Sequence, residues 1–421
     1  MAPGTEPLKI TASAVYPVSG PAIVNGAVLI GEDGRIAAVG PAAEVPQPEG
    51  TATINIPDAA LIPGLVNVHT HLELTTLRGQ IEEDDFFEWI RHVRVAKQEL
   101  PSRDFQQAAE QGVRDAWRWG VTTVADTGDS GAVVDALTEL GGRGVVYHEV
   151  FGPHPADADA TLARLEHAVR ELIDRAADSV RVGVSPHAPY SVSRLLYRKT
   201  VEFADANDLP VAVHIAESHA EVALVTRGEG PFADAWAQRD IPPIETARSP
   251  ISFLDELGVL GSGLLAIHAV QTGPEDAELL AERECAVALC PESNLRHGHG
   301  FPPVELLSDA GVSMGIGTDS VASVGSLDLF REMRHVRGRS GLDAEKIVRL
   351  ATLDGARTLH MAGEIGSLEP GKWADLCVVW MPPDALASQQ HLAKRIIETT
   401  GDHILRTYVA GRCVHEADPR H

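Results

Sequence analysis

Cysteine is scarce in this chain, and so is positive charge. The four cysteines, Cys285, Cys290, Cys377 and Cys413, show no Cys-x-x-Cys pairing. That excludes a zinc ribbon and argues against a disulfide scaffold. They sit in apolar runs such as Cys285-Ala-Val-Ala-Leu-Cys290, so buried thiols in a reducing compartment are expected. Lys and Arg number 35 against 60 Asp and Glu, a formal net charge of −25, which repels nucleic acid and anionic membrane surfaces. No window reaches the ~20 apolar residues of a membrane span. The opening Met-Ala-Pro-Gly-Thr-Glu has no basic segment leading into an apolar one. A cytoplasmic protein is expected, with neither nucleic acid nor membrane as partner. Repeats of roughly 20 to 50 residues and low-complexity segments are also missing, which excludes solenoids and arrays.

What is present is a soluble enzyme composition, 44% hydrophobic and 23% charged over 421 residues. That length exceeds one ordinary core, but fits an α/β barrel of ~250 residues with a smaller domain. Residues 8–58 alternate apolar and polar positions between turn signals, with Asp33-Gly34 suited to a hairpin, so a small β element is expected first. An apolar run, Leu61 to Val68, reads as one buried strand. Helical spacing follows over 85–97 and from Ser102. Apolar strands then alternate with helices, at 121–126, 144–150, 180–185, 210–214, 264–268, 285–290 and 312–319. Eight β-α units predict an α/β fold, a (β/α)8 TIM-like barrel, with active-site residues at the carboxyl ends of the strands. Residues 226–250, rich in Gly, Pro and charge, read as a long surface loop and a candidate lid. After a helical pair at 326–361, β-like runs return at 376–380 and 404–410. Residues 1–58 and 364–421 are expected to form a composite β-sandwich, and 59–363 the catalytic barrel.

Polar residues recur at the strand ends. The first strand ends in His69 and His71, which share a face because i and i+2 do so on a strand. An isolated His-x-His is equally a pair of satisfied polar side chains, so the others decide. The fourth strand runs into Pro186-His187-Ala-Pro-Tyr190, the fifth ends in His214, the sixth in His268 and the eighth in Asp319. A barrel brings these ends to one mouth. Imidazoles with one carboxylate suit Zn²⁺, with Fe²⁺, Mn²⁺ or Co²⁺ as poorer matches.

The motifs Pro63-Gly-Leu-Val-Asn-Val-His-Thr-His71, Ser185-Pro-His-Ala-Pro-Tyr190, His214-Ile-Ala-Glu217, Ile267-His-Ala-Val270, Cys290-Pro-Glu-Ser-Asn294, Gly317-Thr-Asp-Ser320 and Gly371-Lys-Trp-Ala-Asp-Leu376 together resemble the amidohydrolase superfamily. Within it the chain is similar to the aminohydrolase branch of the triazine hydrolases, guanine deaminase and the methylthioadenosine/S-adenosylhomocysteine deaminases. The resemblance implies one divalent metal ion, Zn²⁺ first, bound by His69, His71, His214 and Asp319. No lysine stands at the fourth strand end, as it does in the binuclear branches. His187 and Asn294 carry over as substrate-facing residues. Arg296 and His297 depart from the lysine and small apolar residue of purine-nucleoside deaminases, and leave the substrate open.

Such an ion lowers the pKa of water from ~16 towards 7. Asp319 could take a proton from that water, and His268 could hydrogen-bond it or polarise the substrate. Glu217, three residues beyond His214, suits proton transfer to a ring nitrogen and then to a leaving amine; the alternative is a helix-end charge on the macrodipole. Arg296 could pair with a substrate carboxylate or be a solvated loop arginine. Phe86, Phe87 and Trp89 could form an aromatic wall, with packing expected for at least two. Glu73 could orient His71 or be a loop charge. The 91–97 basic cluster is expected on an exposed helix face.

The expected function is removal of an exocyclic amine from a purine-like base or nucleoside, with aminofutalosine, methylthioadenosine or S-adenosylhomocysteine as first substrates. The small heterocyclic substrate is the expected partner, together with further copies of the chain in a dimer or tetramer. Alternatives are hydrolysis of an amide, cyclic imide or carbon–halogen bond at the same site, or a non-catalytic scaffold. The presence of the whole residue set argues against the scaffold.

Overall fold

The computed structural model describes residues 6–83, 85–382 and 388–417. Along the chain the strands are β1 (Leu8–Val15), β2 (Ile23–Ile30), β3 (Ile36–Pro41), β4 (Ala52–Pro63), β5 (Leu65–Thr70), β6 (Val121–Gly128), β7 (Gly144–Val150) and β8 (Val180–Pro186). They continue as β9 (Val211–Ile215), β10 (Leu264–His268), β11 (Ala286–Leu289), β12 (Ser313–Ile316), β13 (Leu376–Trp380), β14 (Ile404–Val409) and β15 (Arg412–Glu416). Contacts divide the chain into two compact units, Met1–Val68 with Val113–Val124 and Leu327–His421, and His69–Gly112 with Ala125–Ser326.

In the first unit both chain ends build one sheet in the order β15-β14-β13-β4-β1-β2-β3. It is antiparallel except at the parallel pair β1 and β4. The expected hairpin joins β2 to β3, where Gly34 takes φ +74° and Asp33 Oδ1 accepts from Arg35 N at 3.0 Å. Alternate residues of these strands, among them Ile10, Val15, Val28, Ile30, Leu61, Leu376, Val378 and Tyr408, meet in one apolar core. Each fully buried aliphatic side chain there contributes about 1.5–3 kcal/mol. The helices Leu329–Arg339 and Ala344–Leu350 group with this unit. Arg334 ties the first of them down by donating to the carbonyls of Ile397 and Thr399 at 3.3 and 2.7 Å.

The run Leu61 to Val68 is two strands, contrary to the expectation of one. β4 ends at Pro63 in the terminal sheet, β5 begins at Leu65 in the other sheet, and Gly64 is the break. A Cβ on Gly64 would fall 2.2 Å from Thr122 Oγ1, a collision that only glycine avoids.

The eight-stranded sheet has consecutive order from β5 to β12. The ladders joining β7 through β12 are parallel, and a parallel bridge between Thr70 and Asp319 brings the two ends of the sheet together. Helices follow the strands, so this is the expected (β/α)8 barrel. Its strands are nearly all buried, as a sheet covered on both sides requires.

Residues 226–250 are not an irregular loop. They contain the helix Pro231–Ala237, whose Phe232 and Trp236 are buried with Tyr190, Leu224 and Ile241. Cys285, Cys290 and Cys377 are buried as expected, but Cys413 is exposed, and none of the four is in a disulfide. Its strand β15 lies at the sheet edge with no fully buried residue. Among the described residues no helix is long and apolar enough to cross a membrane.

Candidate active site

The carboxyl ends of β5, β9 and β10 and the residues after β12 bring their polar side chains together within the second unit. Asp319 Oδ1 lies 3.4 Å from His69 Nε2 and 3.3 Å from His71 Nε2. The His69 ring centroid is 4.8 Å from that of His71, 4.9 Å from His214 and 5.6 Å from His268. Candidate ligand atoms of His69, His71 and Asp319 all fall within 4.8 Å of one another, as do those of His69, His214 and His268.

Local sequence explains how the cluster is held. His71 Nδ1 is 2.8 Å from the carbonyl of Thr127 at the end of β6. A carbonyl only accepts, so Nδ1 carries a proton and Nε2, turned to Asp319, is the atom that would coordinate a cation. Asp319 Oδ1 accepts from Ser320 N at 2.7 Å, and Oδ2 accepts from the Ser293 hydroxyl. Gly317 permits this approach, because a Cβ there would sit 2.7 Å from His69 N. His268 and Asp319 both adopt left-handed backbone, φ +75° and +65°. Each such residue costs of order 1–3 kcal/mol and is held by its surroundings.

Burial sets the electrostatics. It depresses His69 to about 4 and His187 to about 3, and holds His214 and His268 well below the ordinary imidazole value. Burial opposes the charge on His71 as well, but the Asp319 hydrogen bond and the Glu149, Asp319 and Asp126 charges outweigh it and raise it to about 9. For Asp319, burial is overcome by its bonds to His69 and His71, which hold the carboxyl well below the usual range. Around the ionised Asp319, His69, His214 and His268 are held neutral, and His71 alone keeps the positive charge that a bound cation would replace. Nδ1 of His214 and Nδ1 of His268 are buried with no hydrogen-bond partner. This donor set fits a divalent cation.

Glu217 is 4% exposed, and its Oε1 lies 3.5 Å from His268 Nε2 and 3.6 Å from His299 Nε2. Burial, with Asp319 and Glu221 nearby, raises its carboxyl well above the usual value. The turn carrying it is gripped by Glu221, whose carboxylate accepts from Ala216 N at 2.8 Å and Glu217 N at 2.9 Å.

A cavity of about 1810 Å³ opens over the cluster, lined by His71, His187, His214, Glu217, His268 and Asp319. Phe86, Phe87 and Trp89, on the helix Phe86–Glu99, line it too. Packing is a second duty for all three. Phe86 and Phe87 lean on the Tyr190–Phe232–Trp236 cluster and Trp89 on Leu74 and Leu77. His187 Nδ1 is 2.7 Å from Ser191 Oγ, which fixes the ring at the wall.

Other expected residues fall elsewhere. Asn294 is fully buried, with both amide atoms lacking a hydrogen-bond partner, and is not among the residues lining the cavity. Arg296 is exposed at the end of the short helix Pro291–Arg296 and does not line the cavity either. Glu73 turns to Ser130 and Lys97 rather than to His71, accepting from Ser130 N at 3.1 Å and pairing with Lys97 at 2.5 Å. Lys97 also pairs with Asp129, so this end of the 91–97 cluster is partly buried, whereas Arg91 is exposed.

Several residues were not anticipated. Glu149, at the end of β7, lines the cavity with a buried, unpartnered Oε1, and burial raises its carboxyl to about 7. It is the strand-end carboxylate of the sequence Tyr-His-Glu-Val, and strand-end position was its available signal. Asp126, at the end of β6, accepts from Leu72 N at 2.7 Å. Glu221 was marked by Ser218-x-x-Glu221, a helix-start pattern, and Ser218 does accept from Glu221 N. His299 had no such marker.

The amidohydrolase family model matches residues 60–414. The chain is 31% identical over 404 residues to a 5-methylthioadenosine/S-adenosylhomocysteine deaminase of Syntrophobacter fumaroxidans, covering 93% of this chain and 88% of that one. It is 32% identical over 385 residues to a 5'-deoxyadenosine deaminase of Methanothermobacter thermautotrophicus, covering 89% and 84%. A zinc-bound adenosine deaminase of Xanthomonas campestris superposes with TM-score 0.83 at 30% identity, over 96% of this chain and 92% of that one. With these matches running through β5, β9, β10 and β12, where the imidazoles and Asp319 converge, the chain belongs to the amidohydrolase family.

Proposed function

We propose that this chain deaminates an adenosine-type nucleoside, exchanging the exocyclic amine of the purine for oxygen and releasing ammonia. The observation that carries the proposal is the placement of Glu217. A buried carboxyl that is not needed as a ligand faces the same cavity as the His69, His71, His214 and Asp319 cluster. Deaminases among the relatives support the same chemistry.

His69, His71, His214 and Asp319 would hold one divalent ion, with Zn²⁺ favoured by the imidazole-rich donors. When bound, the ion supplies Lewis acidity that makes water nucleophilic near neutral pH. The protein residues handle protons. Water adds to the amine-bearing carbon as one of its protons passes to Asp319 and Glu217 delivers its own proton to the adjacent ring nitrogen. Asp319 then hands its proton to the amine, which departs as ammonia, and the remaining hydroxyl proton returns to Glu217 as the ring carbonyl forms. His268 orients the Glu217 carboxylate at 3.5 Å. His187 faces the substrate from the wall, where Trp89 and Phe86 can stack on a purine. Arg296 and Asn294 have no substrate contact in this proposal. The protein would work in a reducing cytoplasm, which suits its free thiols, as a dimer or tetramer.

The test is a panel of methylthioadenosine, S-adenosylhomocysteine, 5'-deoxyadenosine, adenosine and aminofutalosine, assayed for ammonia with and without chelator. Turnover of at least one, lost on chelation and restored by Zn²⁺, is expected. Chelator-resistant turnover, or no ammonia from any of them, would remove the proposal.

A further inference from the structure

Glu217 has two imidazoles against one oxygen. Besides His268, His299 places Nε2 at 3.6 Å from Oε1. His299 is built to aim there. It stands between Gly298 and Gly300, with φ of +70° and +105°, a backbone course that side chains other than glycine resist. Its N–H donates to the carbonyl of Asn294 at 2.9 Å, and its carbonyl accepts from Gln271 Nε2 at 2.7 Å. The ring meets the Phe86 ring edge-on at 4.4 Å between centroids. The side chain is only 5% exposed, and Nε2 is buried without a hydrogen-bond partner.

A buried polar nitrogen left unsatisfied costs about 1–3 kcal/mol. The Glu217 carboxylate is within a few tenths of an ångström of hydrogen-bond range. Catalytic hydrogen bonds that are long without substrate commonly tighten when it binds. We propose that His299 is a positioning residue for Glu217, its Nε2–H holding Oε1 so that the other carboxylate oxygen carries the proton to and from the substrate. The inference rests on the deaminase reading for its kinetic consequence, but the contact itself does not. A pure packing role for His299 against Phe86 would be satisfied by any side chain of similar volume.

Two variants of the zinc-loaded protein separate these roles. His299→Leu keeps bulk and removes the donor, while His299→Gln keeps an N–H. With the nucleoside that wild type turns over best, His299→Leu is expected to lose roughly 10–100-fold in kcat, with KM within about twofold. His299→Gln should recover most of that loss. Bound zinc and Tm should match wild type in both. Equal kcat in wild type and His299→Leu, or equal losses in both variants, would overturn the inference. The carboxyl infrared band that disappears in Glu217→Gln gives a readout independent of turnover. It should move in His299→Leu and stay in His299→Gln, and a band unmoved in both would also overturn the inference. If the band moves but wild type releases no ammonia from the panel, the deaminase reading fails and the contact stands.

Discussion

At the scale of single residues, the site depends on backbone positions as much as on ligands. Gly317 is the clearest case, since a methyl group there meets His69 N at 2.7 Å and the His69 Cβ at 2.8 Å. Gly317→Ala must therefore push β12 from β5 and separate Asp319 from the imidazoles. Zinc content well below one per chain is expected, with a fall in Tm corresponding to about 1–3 kcal/mol. Full zinc occupancy would count against the geometry described. Glu221 makes a second residue-scale case. Burial raises its carboxyl to about 7 despite three backbone hydrogen bonds. A carboxyl whose folded pKa is raised binds its proton more tightly in the fold, so stability declines as pH rises from the unfolded value near 4.5 to about 7. Denaturant titrations of wild type and Glu221→Gln across that window should differ by this slope, the variant being flatter. The candidate ligand residues could be picked out in the sequence because each follows an apolar strand. His299 was not, because it lies in a Gly-His-Gly turn that no periodicity places. Arg296 stands out as a departure from the family's lysine, and its exposed place at the end of a short helix matches the solvated alternative to a carboxylate partner.

At the scale of elements, the helix Phe86–Glu99 contains no fully buried residue, yet Phe86, Phe87 and Trp89 on it line the cavity. Lys97 anchors its far end through Glu73 and Asp129. Burial opposes the charge on both Glu73 and Lys97, but their attraction prevails, holding the Glu73 carboxyl low and the Lys97 amine high. Lys97→Met strands a 1% exposed Glu73. A loss of about 3 kcal/mol is expected, together with faster amide exchange over 86–99; unchanged exchange would show that the helix is held by its aromatic side alone. The basic cluster was read as an exposed helix face, which Arg91 bears out; Lys97 departs from it because helical spacing does not reveal which carboxylates a lysine will meet. The short helix Pro231–Ala237 was read as loop for a related reason. Gly230 and Pro231 punctuate it, and Phe232 and Trp236 find their partners only when Tyr190 arrives from the loop after β8.

At the scale of the whole molecule, eight apolar runs with helices between them were enough to specify the barrel and the end at which its chemistry lies. The terminal sheet was legible as β structure, but its pairing was not, since β4 joins β1 in parallel and β13 in antiparallel fashion. Gly64 shows why the border between the sheets was missed. Its role depends on Thr122, far along the chain, and not on local pattern. The chain is a hydrolase of carbon–nitrogen bonds by its relatives, and the buried carboxyl of Glu217 is the group on which the proposed proton traffic turns. The decisive measurement is the rate of ammonia release by zinc-loaded Glu217→Gln, which keeps the shape and removes the acidic proton. With one zinc per chain retained, kcat should fall by roughly 10²–10⁴-fold. Turnover within tenfold of wild type at full zinc occupancy would contradict the assignment.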